Sequence, residues 1–196
     1  MEIKDNAFYE CTTLASVRFE AGTEPLTIGF QPGTNERGPF YQSPLTSIYV
    51  NRELVASEAY AAARNQTDEG IFSTPSNNRN VTVTLQGNVN TISDYMFSGV
   101  NMQTIWIPQE VTKICKGAFY DCSRLYGMTL AHSNPPTLIE NDDTDGGAFK
   151  GTLLNDPDVD MRWIALEDGS DENIGRFKGA PNWAYYADII KAQIKK

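Results

Sequence analysis

Three cysteines and one histidine are the residues of this 196-residue chain that most directly suggest catalytic or metal chemistry. Cys115 and Cys122 lie close together in the sequence, whereas Cys11 lies far upstream. A thiolate is both a nucleophile and a soft metal ligand, so the close pair is the first candidate for a site. Because the number of cysteines is odd, a disulfide framework is not expected.

His132 is the only histidine, and so the only side chain whose ordinary pKa suits a general base near neutrality. No serine or cysteine nucleophile signature surrounds it, and the chain has no H-E-x-x-H, paired C-x-x-C or glycine-rich phosphate loop. We interpret His132 as a surface or turn residue, and predict no catalytic residue and no cofactor. Acidic residues are plentiful, so a glycoside hydrolase that uses two carboxylates is the catalytic alternative.

The acidic run from Asn141 to Gly146 places oxygen-bearing side chains at alternate positions before a glycine, as in the first half of a calcium loop. The second half does not match, because Thr152 occupies the position where a bidentate glutamate belongs. We interpret the run as a solvated acidic turn and predict no metal site, although calcium binding by the acidic loops stays open.

Cys11 and Cys122 hold the same place in two copies of one pattern. The sequence A-F-Y-E-C-T-T-L begins at Ala7, and A-F-Y-D-C-S-R-L begins at Ala118. Such self-similarity marks stacked supersecondary units. Coils far apart in a stack do not converge on one metal ion, so these two cysteines are predicted to pack in the core. Cys115 has no counterpart and is predicted to be either buried or a free thiol.

The phenylalanine of this pattern recurs along the chain, and Phe97 and Phe119 lie 22 residues apart, within the roughly 20–29 residues of a leucine-rich repeat. The recurring residues are Phe8, Phe40, Phe72, Phe97, Phe119, Phe149 and Phe177. They are expected to form one column.

Short alternating apolar runs lie between these phenylalanines and predict strands with one buried face. The six predicted strands are Ser16–Phe19, Ser47–Val50, Thr82–Leu85, Thr104–Ile107, Gly127–Leu130 and Arg162–Leu166. Stacking is expected to align one inward residue from each strand in a second column: Val17, Ile48, Val83, Ile105, Met128 and Ile164.

We predict a single domain over residues 1–196, built from about six irregular coils. Residues 51–65 combine Leu54, Val55 and several alanines, a composition that favours an inserted helix. Residues 181–196 have apolar side chains at helical spacing after Asn182, the predicted N-cap, and lysines in the last turn. They predict a C-terminal helix that caps the last coil.

The run from Ile105 to Leu125 resembles the phrase I-x-I-P-x-x-V-T-x-I-G-x-x-A-F-x-x-C-x-x-L of BspA-type leucine-rich-repeat proteins from Bacteroides-like gut and oral bacteria. Closing landmarks of that family are similar to Pro135–Leu138, Ala148–Phe149, Trp163–Leu166, Phe177–Lys178 and Trp183. Cys115 departs from the pattern, because the family usually has glycine there.

The resemblance implies an α/β, mainly β, leucine-rich-repeat solenoid whose short parallel strands stack in a right-handed superhelix. It also implies an extracellular or outer-membrane surface protein that binds other proteins or host matrix and has no enzymatic activity. Fold alone does not fix function, so the binding surface must be argued from residues.

The net charge of −9 opposes attraction to nucleic acid or to an anionic membrane. No apolar run reaches the roughly 18–20 residues that a spanning helix needs. The N-terminus lacks a basic segment followed by an apolar one, and an export signal removed from the mature chain stays open.

Alternation within the predicted strands places one row of side chains on the outward face. The candidate binding residues are Arg18, Tyr49, Thr84, Trp106, Thr129 and Trp163. Exposed Tyr, Trp and Arg dominate binding energy at interfaces, although aromatics are also favoured on any sheet surface. We predict a non-catalytic module that binds a protein or matrix ligand, with a glycan left open. A structural spacer within a larger surface protein is the alternative.

Overall fold

The computed structural model describes residues 1–29, 38–60, 70–73, 79–139 and 147–193. Short β-strands dominate, and helices are few. The strands are Glu2–Ile3 (β1), Ser16–Phe19 (β2), Leu26–Ile28 (β3), Ser47–Val50 (β4), Leu54–Ala56 (β5), Thr82–Leu85 (β6), Thr91–Ile92 (β7), Thr104–Ile107 (β8), Lys113–Ile114 (β9), Gly127–Leu130 (β10), Thr137–Leu138 (β11), Trp163–Leu166 (β12) and Ile190–Ala192 (β13). Helix α1 spans Asp171–Gly179, and 3₁₀ helices span Leu153–Asn155 and Trp183–Tyr186.

The paired strands all run parallel, in the orders β2-β4-β6, β8-β10-β12-β13, β1-β3-β5 and β7-β9-β11. Parallel neighbours need a crossover between them. Consecutive strands from β1 to β12 accordingly belong to different sheets, whereas β13 joins the same sheet as β12. The first two sheets contain the six strands that the alternating runs predict. Their positions are confirmed, except that the sixth strand begins at Trp163.

The inward strand residues align as expected within each sheet. Val17 pairs with Ile48 and Ile48 with Val83 in the first sheet. In the second sheet Ile105, Met128 and Ile164 align in the same way, and β13 adds Ile190. Among the described residues no strand ladder joins β6 to β8, so the column consists of two parts.

A ladder of stacked phenylalanine rings runs through the core from Phe40 to Phe149, and the exposed Phe8 ring extends it by stacking on Phe40. Neighbouring rings from Phe8 to Phe149 lie 4.8 to 5.7 Å apart between centroids. Phe177 does not continue the ladder as expected. It lies on α1 and meets Trp183 edge to face at 5.5 Å, while Trp183 and Tyr186 contact Phe149. The end of the ladder is therefore covered by other aromatic rings.

The turns that follow five of the six ladder phenylalanines use the left-handed backbone region, and the turn after Phe72 lies outside the described residues. The second residue after the phenylalanine has a positive φ at Glu10, Gln42, Gly99, Asp121 and Gly151, with angles from 51° to 75°. Glycine adopts this region without strain, and other residues adopt it at a cost. The repeat therefore conserves a backbone angle at a position where its residue type varies.

The predicted helix at residues 51–65 is wrong in its first half. Leu54–Ala56 forms β5, in parallel register with β3, and Leu54 is fully buried against Leu26 in that register. Tertiary pairing thus overrides helix propensity here. Residues 58–60 are helical, and residues 61–65 lie outside the described residues.

The predicted cap helix at residues 181–196 is also wrong. Trp183–Tyr186 is a 3₁₀ helix, and Ile190–Ala192 extends along the edge of β12. Asn182 occupies the N-cap position of this 3₁₀ helix with a φ of 65°, but its side chain makes no capping hydrogen bond and donates instead to the Leu138 carbonyl at 2.7 Å. The α-helix lies earlier, where the Ser170 hydroxyl accepts from the Asn173 amide.

Candidate binding face

The candidate residues lie on the outer face, which we define as the outward side chains of β2, β4, β6, β8, β10 and β12. In register, the first sheet aligns Arg18, Tyr49 and Thr84, and the second aligns Trp106 with Thr129. Trp163 lies one row away, in register with Gly127. The face therefore has two parts, one on each sheet.

A guanidinium covers an aromatic ring in the first part. The Arg18 Cζ lies 3.9 Å from the centroid of the Tyr49 ring, and Arg18 Nε donates to Glu20 Oε1 at 2.9 Å. The hydrogen bond to Glu20 raises the pKa of Arg18 above its ordinary value. Arginine, carboxylate and aromatic ring thus form one cluster in which the chain supplies all three groups.

A tryptophan is the most exposed large side chain in the second part. Trp106 is 42% exposed, and its Nε1 donates to Glu167 Oε1 at 2.7 Å. Glu167 follows β12, so the indole reaches across β10 to meet it. Thr129 and Ala165, which occupy the intervening positions, are only 9% and 6% exposed. Thr129 points outward as predicted, but it is buried and is not a free contact residue.

Trp163 lies over Gly127, in the adjacent row of the same sheet. A Cβ added at Gly127 would lie 2.5 Å from two ring carbons of Trp163, so the ring occupies space that only glycine leaves empty. Two tryptophans, one from β8 and one from β12, therefore lie across β10 in neighbouring rows. Sequence reasoning missed Gly127 and Glu167, because their roles depend on strand register.

Cys115 and Cys122 are buried, whereas Cys11, predicted to pack in the core, is half-buried. All three are free thiols. Cys122 is fully buried, donates its Sγ hydrogen to the Phe97 carbonyl at 2.9 Å, and has a pKa raised by burial. Burial first, and then the nearby Asp94 carboxylate, raise the pKa of Cys115 to about 11. Neither of these two thiols is poised as a thiolate nucleophile.

The assignment of His132 to the surface is wrong. The side chain is 4% exposed, and Nε2 lies 2.6 Å from the Val111 carbonyl. Asn173 on α1 donates to the His132 carbonyl at 2.9 Å, which fixes the helix against this loop. Burial lowers the pKa of His132. The residue lines a groove of about 410 Å³, but as a buried neutral imidazole it serves packing.

No group of three or more histidine, cysteine or acidic side chains converges on a metal-sized site within the described ranges. The acidic run from Asn141 to Gly146 lies outside those ranges, so its interpretation as a solvated turn remains a prediction. Across the part of the chain that the structure describes, no helix has the length and apolar character to cross a membrane.

A family model described as a BspA type leucine rich repeat region, with 6 copies, matches residues 1–126 and 38–156. Neither the curated proteins nor the solved structures include one that matches the chain. The matched residues include β1 to β11 and the ladder phenylalanines from Phe8 to Phe149. The chain therefore belongs to the BspA-type leucine-rich-repeat family.

Proposed function

We propose that this protein is a non-catalytic binding module that holds a protein partner against its outer face. The observation that carries the proposal is the fixed, exposed indole of Trp106. A surface tryptophan that is 42% exposed leaves apolar area in water, and its hydrogen bond to Glu167 holds the ring in one orientation. A ring held in place loses little conformational entropy on binding.

The surroundings support this use of the face. Trp163 extends the aromatic surface by one row, and the first sheet adds Arg18 and Tyr49, which are residue types enriched at interface hot spots. Proteins of repeat families commonly bind partners on the extended surfaces that stacked strands create. We propose that the partner is an extracellular or matrix protein, and that the module acts at a bacterial cell surface.

Arrayed extracellular-matrix proteins and glycans, probed with the intact chain and with Trp106→Ala, test the proposal. We expect at least one arrayed protein to bind the intact chain and to lose most binding with Trp106→Ala. Since the ring is partly exposed, the melting temperature should fall by only about a few degrees.

Tyr185→Ala is the matched control, because Tyr185 is 49% exposed and lies on a 3₁₀ helix rather than on a strand of the outer face. It should leave binding unchanged. Equal losses for both variants, or binding that is indifferent to Trp106→Ala, would contradict the proposal. A large loss of stability in Trp106→Ala would make the residue part of the core instead.

A further inference from the structure

We infer that Trp106 and Glu167 form a receptor site for an arginine side chain presented by the partner. This inference rests on the proposed function and names the chemistry that the outer face recognises. It comes from a comparison between the two parts of the face.

The first part contains a complete cluster of cation, carboxylate and ring. Arg18 lies on the Tyr49 ring and also donates to Glu20, which directly follows the end of β2. The guanidinium is a flat, delocalised cation that both stacks on rings and pairs with carboxylates. The Arg18 guanidinium therefore stacks on a ring and pairs with a carboxylate at the same time.

In the second part the ring and the carboxylate contact each other, and within the described residues no cation pairs with the carboxylate. Glu167 follows the last residue of β12 as Glu20 follows the last residue of β2. Two residues before Glu167, at the position that corresponds to Arg18, the chain has Ala165. The indole of Trp106 takes the place beside this carboxylate, and its outer surface is exposed.

The Glu167 carboxylate is free to accept a cation. Within the described residues it has one side-chain hydrogen bond, from Trp106 Nε1, and no ion pair. Lys191 on β13 lies opposite Ala165 in the strand register and is exposed. It forms no ion pair with Glu167. A carboxylate has about four lone-pair sites, so the bond to Trp106 leaves capacity for a guanidinium.

The charge of the molecule favours a cationic partner. The formal net charge of −9 attracts positively charged segments over long range and accelerates their association. A tryptophan face is the best aromatic acceptor for a cation. An arginine therefore suits both the pair formed by Trp106 and Glu167 and the negative net charge of the molecule. An acidic or uncharged segment suits neither.

The test follows the indole N–H resonance of Trp106 by NMR during titration with a capped Gly-Arg-Gly peptide. The matched probe is the same peptide with citrulline, which has the shape of arginine without its charge. We expect the arginine peptide to shift the resonance, and citrulline to bind about fivefold more weakly or worse, as the loss of about 1 kcal/mol predicts. Trp183, buried and bonded to the Pro136 carbonyl, supplies an internal reference resonance.

Glu167→Gln isolates the charge, because glutamine keeps an oxygen that can accept from the Trp106 indole. This variant should retain the Trp183 resonance and weaken the response to the arginine peptide. Equal responses to arginine and citrulline, no response to either, or no effect of Glu167→Gln would overturn the inference.

The two proposals fail separately. If the arrayed partner needs Trp106 but binds Glu167→Gln as tightly as the intact chain, the binding face stands and the arginine site falls. If the partner is indifferent to Trp106→Ala, the binding face itself falls, whatever the peptides do.

Discussion

Gly70 lies directly against the backbone of Tyr95 in the next coil, so closely that a side chain cannot fit. A Cβ added at Gly70 would lie 2.3 Å from the Tyr95 carbonyl oxygen and 2.7 Å from the Ser98 amide nitrogen. Both atoms belong to the backbone and cannot rotate away. The spacing between stacked coils is therefore set at this position by the absence of a side chain.

Gly70→Ala should destabilise the fold by about 1–3 kcal/mol, the usual cost of forcing extra volume into a packed site. Chemical denaturation of the variant beside the intact chain measures the loss. Gly175→Ala is the control, because Gly175 lies exposed on α1 with nothing within 4 Å of the added atom. It should be neutral or stabilising by up to about 1 kcal/mol. Equal stability of Gly70→Ala and the intact chain would contradict the close contact.

The repeat made much of this fold predictable. Each predicted strand alternates inward and outward side chains, and the ladder phenylalanines recur between these strands. A local sequence pattern therefore locates both. Phe97 and Phe119, for example, stack at 5.7 Å as their 22-residue spacing suggests. These features are local, and the pattern that encodes them returns in every coil.

The features that sequence reasoning missed depend on contacts between distant residues. β5 looks helical by composition, and only its pairing with β3 makes it a strand. β13 likewise forms because β12 offers an open edge. Within the candidate site, residue type and alternation placed Trp106 outward. Its bond to Glu167, 61 residues away, follows from a register that no local pattern contains.

Gln42→Gly should stabilise the protein, because Gln42 has a φ of 60° in the turn after Phe40. A residue with a Cβ pays roughly 1–2 kcal/mol in this region, and the greater freedom of glycine in the unfolded chain offsets part of the gain. We expect a net increase of about 0.5–1 kcal/mol in the free energy of unfolding, measured by urea titration.

The control for this turn is Gln42→Ala, which removes the polar side chain but keeps the Cβ. It should give no comparable increase. If glycine and alanine changed stability alike, backbone strain would not be the cause, and the side-chain contacts of Gln42 would have to explain the result.

His132 should make the stability of the fold depend on pH in the mildly acidic range. Burial lowers its pKa in the folded protein below the value of about 6.5 that it has when unfolded. Between these two values the unfolded chain binds more protons, so the free energy of unfolding falls as the pH falls from about 6.5 through the folded pKa. This one group can change the free energy of unfolding by up to about 1.4 kcal/mol per pH unit.

Urea titrations between about pH 5 and about pH 7.5 measure this effect. His132→Gln keeps an amide that can donate to the Val111 carbonyl but cannot titrate, and the chain has no other histidine. As the pH falls, the intact chain should lose stability more steeply than this variant. The pH dependence that comes from the carboxylates should be the same in both proteins. Parallel curves would mean that His132 titrates with the same pKa folded and unfolded, and hence that its ring is open to water in solution.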